Sequence, residues 1–187
     1  VRVVGGKARG MRLLSVPGEG TRPITDRVKT ALFGVLGERV RGARVLDLFA
    51  GTGSVGIEAL SRGAARVVFV DRSPKALRVL RENLRRTGLE EGAEVVLGDA
   101  FRYLSRTEEA FDLIYVAPPQ YRGLWKQALL ALQESPALAP GGEVIVQIHP
   151  KEFEALDLQR LCLVDQRKYG STLLCFYREA PSEAEEG

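Results

Sequence analysis

A short apolar run, Val45-Leu46-Asp47-Leu48-Phe49, ends in the glycine-rich turn Ala50-Gly51-Thr52-Gly53-Ser54-Val55-Gly56, and Ile57-Glu58-Ala59-Leu60 then opens a helical pattern. Strand, tight turn and helix in that order form the first unit of a nucleotide-type α/β fold. Gly51 and Gly53 suit a turn whose backbone N–H groups approach a ligand. Gly56 suits a helix lying close on its strand.

Gly51-x-Gly53-x-x-Gly56, with Asp71 further along, also matches the dinucleotide fingerprint. Asp47 separates the readings. A carboxylate beside the turn repels the pyrophosphate of NAD or FAD. S-adenosylmethionine carries an ammonium, a sulfonium and a ribose diol but no phosphate, and it suits an acidic turn. A capping role for Asp47 on nearby N–H groups is compatible with this, and an NAD-dependent oxidoreductase remains a rival.

The body alternates strand and helix. Strands are predicted over 66–71, 94–99, 111–116 and 143–148, with helices over 54–62, 74–87 and 125–132. Pro140-Gly141-Gly142 is predicted to turn into the fifth strand, and Leu161–Val164 and Thr172–Tyr177 to form a closing antiparallel pair. The fold class is therefore α/β, with a mostly parallel sheet covered on both faces. Ligands in such sheets sit beyond the carboxyl ends of the strands, and Asp47, Asp71, Asp99 and Pro118 all fall there.

Each of these positions has a chemistry. Asp71 offers two acceptor oxygens to a ribose diol. Asp99 is placed for an adenine amino group, with Ala100 and Phe101 covering the ring. In Ala117-Pro118-Pro119-Gln120-Tyr121 both prolines lack an N–H and hold the preceding residue extended. The result is a ledge of carbonyl oxygens that can orient an exocyclic amine, with Tyr121 available to stack on a base. No metal-binding spacing appears. His149 and Trp125 are read as structural residues, and Cys162 and Cys175 as buried reduced thiols on neighbouring strands.

Residues 1–20 are read as an N-terminal β-hairpin arm, with short strands Val1–Val4 and Met11–Val16 and with Lys7, Arg9 and Arg12 near its tip. A helix capped by Thr25 or Asp26 follows and ends at Gly37 or Gly42. Residues 1–44 hold ten Lys/Arg against three acidic residues, a net +7, while the remainder holds seventeen against twenty-one, a net −4. A basic segment on a mildly acidic body points to a polyanionic partner. The domain is predicted over 21–178, and 179–187 as a disordered acidic tail. No apolar run approaches the ~20 residues of a membrane span. No basic stretch followed by an apolar one opens the sequence, so a cytoplasmic monomer is expected.

Taken together, Val3-Val4-Gly5-Gly6-x-x-Arg9-Gly10, Thr21-Arg22-Pro23-x-Thr25-Asp26-Arg27-Val28, Asp47-Leu48-Phe49-Ala50-Gly51-Thr52-Gly53 and Glu58-Ala59-Leu60-Ser61-Arg62-Gly63 resemble the RsmD family. That family comprises bacterial methyltransferases acting on a guanine N2 of small-subunit (16S) ribosomal RNA. The resemblance implies a class I methyltransferase fold of seven strands, an RNA-contacting arm bearing Lys7, Arg9, Arg12, Arg22 and Arg27, and a partner in the small subunit or an assembly intermediate. It implies S-adenosylmethionine held by Asp47, Phe49, Gly51, Gly53, Asp71, Arg72, Asp99 and Ala100, with Thr25 and Arg27 bordering the site. The family motif after the fourth strand is Asp or Asn, Pro, Pro, then Tyr or Phe. Here Ala117 replaces the polar residue, and Gln120 displaces the aromatic to Tyr121. Loss of one positioning hydrogen bond predicts a rate lower by ~10²–10³, with Gln120 or another group as substitute. Two other readings stay open: an RNA- and cofactor-binding assembly factor without catalysis, and a methyltransferase for adenine N6 or a protein amide.

Overall fold

The computed structural model describes residues 1–16 and 24–180. Seven strands form one sheet: β1 (Arg44–Leu48), β2 (Arg66–Asp71), β3 (Ala93–Leu97), β4 (Phe111–Val116), β5 (Leu138–Ile148), β6 (Leu161–Tyr169) and β7 (Thr172–Glu179). Their order is β3-β2-β1-β4-β5-β7-β6, parallel except where β7 runs against β5 and β6. The order reverses between β1 and β4, which opens a crevice at their carboxyl ends.

Among the described residues five α-helices cover the sheet: α1 (Asp26–Leu36), α2 (Ser54–Ser61), α3 (Pro74–Thr87), α4 (Ala100–Arg106) and α5 (Leu124–Gln133). Their ends follow local chemistry. Thr25 caps α1, accepting the Val28 N–H, and Gly37 ends it. Ser73 caps α3, Pro74 occupies its first position and left-handed Gly88 ends it. Gly56 has no room for a side chain, since a Cβ there would lie 2.2 Å from the Phe69 ring of β2. Alternation along each strand divides the core into two layers. Val45, Val67, Phe69, Leu113 and Ile145 face one side, and Leu46, Val68, Val70, Ile114 and Val146 face the other.

Three expectations need correction. Pro140-Gly141-Gly142 is no turn ahead of the fifth strand. Leu138 already pairs with Phe111, and the next registered pair is Leu113 with Glu143, so 139–142 bulge outward within β5. Cys162 is exposed, because β6 is the sheet's edge; only Cys175 is buried. Among the described residues the arm also pairs over a shorter stretch than predicted: Arg2 bridges Arg12, flanked by the Val3 and Leu13 N–H groups donating to the Met11 and Val1 carbonyls.

That arm is clamped to the body. Val3 and Ala8 are buried in the core layer beside α2. The Glu58 carboxylate accepts the N–H groups of Val4 (2.8 Å) and Gly5 (2.9 Å), and Ser61 Oγ accepts that of Ala8 (2.9 Å). Glu58 also meets Arg62 at 2.7 Å and the fully buried Lys29 at 3.3 Å. Lys29 Nζ donates to the Arg2 carbonyl and Ser54 Oγ, so the buried charge is paired and hydrogen-bonded. At the far end, Glu179 closes β7 and the Ala180 N–H donates to the Arg160 carbonyl. The tail from 181 onward and Arg22 lie outside the described residues. Among the described residues no helix is long and apolar enough to cross a membrane.

Candidate methyl-donor and amine site

A cavity of about 890 Å³ opens at the switch point, in the upper part of the usual range for ligand sites. Its floor and one wall come from β1, β2 and the turns after β1 and β3: Asp47, Phe49, Gly51, Asp71, Arg72, Asp99, Ala100 and Phe101. The opposite wall is the segment leaving β4, Ala117 to Tyr121.

Asp71 holds the glycine turn. Its Oδ2 accepts the Gly51 N–H at 2.8 Å and its Oδ1 the Ser73 N–H at 2.9 Å. A carboxylate has about four acceptor positions, so each oxygen keeps one beyond these bonds. Asp47 is 2% exposed, and its Oδ2 accepts the Gly56 N–H at 3.1 Å. Burial, with Asp71 adding to it, pushes its carboxyl up to about 8 despite that hydrogen bond. A buried acid lining a cavity, its second oxygen without a partner among the described residues, gives up its proton most readily beside a cation, as an ammonium group would be. Asp99 serves first as the cap of α4, accepting the Arg102 N–H at 2.9 Å, and its second oxygen has no partner among the described residues.

Strain marks both walls. Among the described residues, Phe49 (φ 65°) and Tyr121 (φ 62°) are the non-glycine residues with left-handed backbone, and both line the cavity. The Phe49 and Phe101 rings meet edge to face at 6.2 Å. Tyr121 is held from behind. Its N–H donates to Glu152 Oε1 (2.7 Å), whose other oxygen takes the His149 N–H, and its ring lies 5.8 Å from that of His149. His149 caps the short turn Pro150–Glu152 through Nδ1, and Trp125 is buried against Phe153, so both are structural residues as expected. Among the described residues the Pro118 carbonyl accepts no protein N–H.

Sequence reasoning missed Tyr115, Gln147 and Glu152. Val116 pairs with Val146, so one step on Gln147 stands beside Ala117, and alternation puts Asp47, Tyr115, Ala117 and Gln147 on one sheet face. The Tyr115 hydroxyl and Gln147 Oε1 are hydrogen-bonded, and both residues line the cavity. Burial and Asp47 keep the Tyr115 phenol protonated, raising it well above the usual tyrosine value. The signal was available: Gln147 interrupts the apolar run Val144-Ile145-Val146-Gln147-Ile148. Gln120, the substitute the sequence suggested, is exposed at the rim.

Some named residues lie elsewhere. Gly53 (φ 86°) caps α2 beneath the turn, and Thr25 caps α1; neither lines the cavity. Lys7, Arg9, Arg12 and Arg27 are exposed outside it.

The family model described as Conserved hypothetical protein 95 matches residues 1–178. The chain is 33% identical over 179 residues to the ribosomal RNA small subunit methyltransferase D of Haemophilus influenzae, covering 90% of this chain and 93% of that one. A solved structure of a hypothetical protein from Thermus thermophilus matches with a TM-score of 0.81 at 35% identity, over 94% of this chain and 98% of that one. The same fold recurs, at 16% identity and a TM-score of 0.67, in a structure complexed with S-adenosylhomocysteine, over 81% of this chain and 48% of that one. Likeness of this extent decides the kinship: the chain belongs to the RsmD family of small-subunit ribosomal RNA methyltransferases, with a class I methyltransferase fold.

Proposed function

We propose that the protein methylates the exocyclic N2 of a guanine in 16S ribosomal RNA, within the small subunit or an assembly intermediate. The observation that carries this is one cavity with two unlike walls: three strand-end carboxylates on one side, and a proline ledge without N–H donors on the other. S-adenosylmethionine, when bound, supplies an electrophilic methyl, so that a carbon–nitrogen bond forms as the carbon–sulfur bond breaks and the amine loses a proton to solvent.

The protein's share is positioning. Asp71 holds the ribose diol, Asp47 faces the ammonium, and Asp99 and Ala100 border the adenine. Backbone carbonyls at Ala117 and Pro118 accept the hydrogens of the target amine while Pro119 keeps the ledge stiff. Gln147 stands where the Ala117 side chain offers nothing, a polar amide anchored by Tyr115. Tyr121 covers the base, which has left its stack. Alignment of this kind is worth up to ~7–11 kcal/mol of barrier, enough to carry attack by a neutral amine. Lys7, Arg9, Arg12, Arg22 and Arg27 grip phosphates.

The test is incubation with methyl-labelled cofactor and unmethylated small subunits or partly assembled particles, followed by nucleoside analysis. Label in N2-methylguanosine is expected. Label in adenine or protein overturns the specificity, and no label in any substrate favours an assembly factor without catalysis.

A further inference from the structure

The charge asymmetry along the sequence hides a second basic surface. Pro74–Thr87 carries Lys75, Arg78, Arg81, Arg85 and Arg86 against the single acid Glu82. Ala76, Leu77, Leu80, Asn83 and Leu84 are its buried side, so at 100° per residue the five cations share one outward stripe roughly 140° wide.

Neutralisation divides the molecule's cations. Arg44 and Arg66, at the amino ends of β1 and β2, are paired with Glu109 and Glu94. Arg39 and Arg178 share Glu143, Arg160 meets Glu179 and Lys126 meets Glu154. Among the described residues only Arg85 of α3 is paired, with Glu82. Among the described residues Lys75, Arg78, Arg81 and Arg86 make no ion pair, and neither does Arg72 where it lines the cavity. At the other end of α3, Arg86 shares a groove of about 640 Å³ with Arg2 and Arg12 of the arm, whose one acid, Asp26, is paired with Arg2. Glu90 and Glu91 bound the stripe beyond Gly88.

We infer that the outer face of α3 is a second contact surface for the RNA backbone, a track of uncompensated cations from the mouth of the cavity at Arg72 to the arm groove at Arg12. From Lys75 to Arg86 the helix rises roughly 16 Å, which lets side chains reach several successive phosphates. Exposed cations without an ion pair along one helix face suit a sugar–phosphate chain, which presents one charge per nucleotide and many acceptors. The inference rests on the ribosomal RNA reading above and adds the path the strand takes over the surface.

The experiment measures binding of an in vitro transcript of small-subunit ribosomal RNA across a salt series, for the full chain and for R78A/R81A/R86A. Removing one cation from a phosphate flattens log K against log[salt] by ~0.7–0.9. The triple variant is therefore expected to lose roughly 2 from the slope, while S-adenosylhomocysteine affinity and thermal midpoint stay at wild-type values. A wild-type slope in the triple variant overturns the α3 track and leaves the RNA reading standing. Absence of salt-dependent RNA binding by the unmodified protein overturns both. Should the triple variant lose its cofactor affinity or fold, the charge swaps R78E and R86E made singly, each expected to cut affinity at fixed salt, decide the matter.

Discussion

Replacing Asp47 by asparagine probes the acidic wall without removing its shape. The amide keeps an oxygen for the Gly56 N–H but cannot ionise. In the wild type, burial raises this carboxyl from the ordinary aspartate value of 3.8 to about 8. The folded chain therefore binds one more proton than the unfolded chain between those two values. Folding stability attributable to this group falls as pH rises through that window, at ~1.4 kcal/mol per pH unit. The full penalty above pH 8 is of the order of 6 kcal/mol. Asp47→Asn escapes it, so the variant's stability advantage without ligand should widen by roughly 3 kcal/mol between pH 5 and pH 7. For a chain of this size each kcal/mol moves the melting temperature by about 2–4 °C, which makes the widening ~6–12 °C in paired thermal scans. Ligand reverses the ranking. An ammonium beside Asp47 draws the proton off, so wild-type affinity for S-adenosylhomocysteine should climb between pH 6 and pH 8, towards tenfold per unit. The variant should bind weakly at every pH. A stability gap that holds constant from pH 5 to pH 8 would refute the assignment of Asp47 as a destabilising acid whose ionised form is reserved for the ligand.

Three further substitutions address the arm and the ledge. Glu58→Ala leaves Lys29 buried without its counter-ion and strips the acceptors from Val4 and Gly5; a loss of ~3–5 kcal/mol is expected in denaturant titrations. Hydrogen exchange should then show residues 3–8 unprotected, and retained protection there would mean that Glu58 does not fasten the arm. Gln147→Leu should lower kcat by about 10² while leaving S-adenosylhomocysteine affinity within about twofold. Ala117→Asn in that background should restore part of the rate by supplying an amide from the neighbouring strand, and a merely structural role for Gln147 would allow no such rescue.

Strands β1, β2, β4 and the second half of β5 were legible in the sequence because buried parallel strands leave largely apolar runs. Helix α3 was legible to the residue because Pro74 and Gly88 punctuate it. Helix α4 was missed because seven residues beginning at Ala100 are too few to establish a period. The early part of β5 was concealed by Pro140-Gly141-Gly142, whose usual meaning is a turn and whose place here is a bulge. The second half of β6 was concealed for another reason: an edge strand exposed along most of its length shows no alternation. At the site, Asp47, Asp71 and Pro118 stood out because each departs from the apolar text around it at a strand end. Tyr115 and Gln147 share a face only through the register of β4 on β5, and no linear pattern records a register.

The long-range contacts that sequence reasoning could not supply also explain how the parts act together. Asn83, wholly buried on α3, accepts the Leu14 N–H through Oδ1 (2.8 Å) and donates through Nδ2 to the carbonyls of Leu14 and Thr52 (3.0 Å each). One amide thus joins the arm, the glycine turn and the helix with the basic stripe, while Glu58 joins the arm to α1 and α2. Ser15 and Val16 then carry the chain to the edge of the cavity. An arm secured at residues 3–14 is not a loose tether. On the proposed RNA path, phosphates at Arg12 and along α3 would be held at a fixed distance from Asp47 and the proline ledge, so each contact would also restrict where the target base can enter. Binding energy gained far from the reacting atoms then contributes to aligning them. A protein whose ledge lacks a side-chain acceptor at Ala117 depends on that alignment more than one that has it.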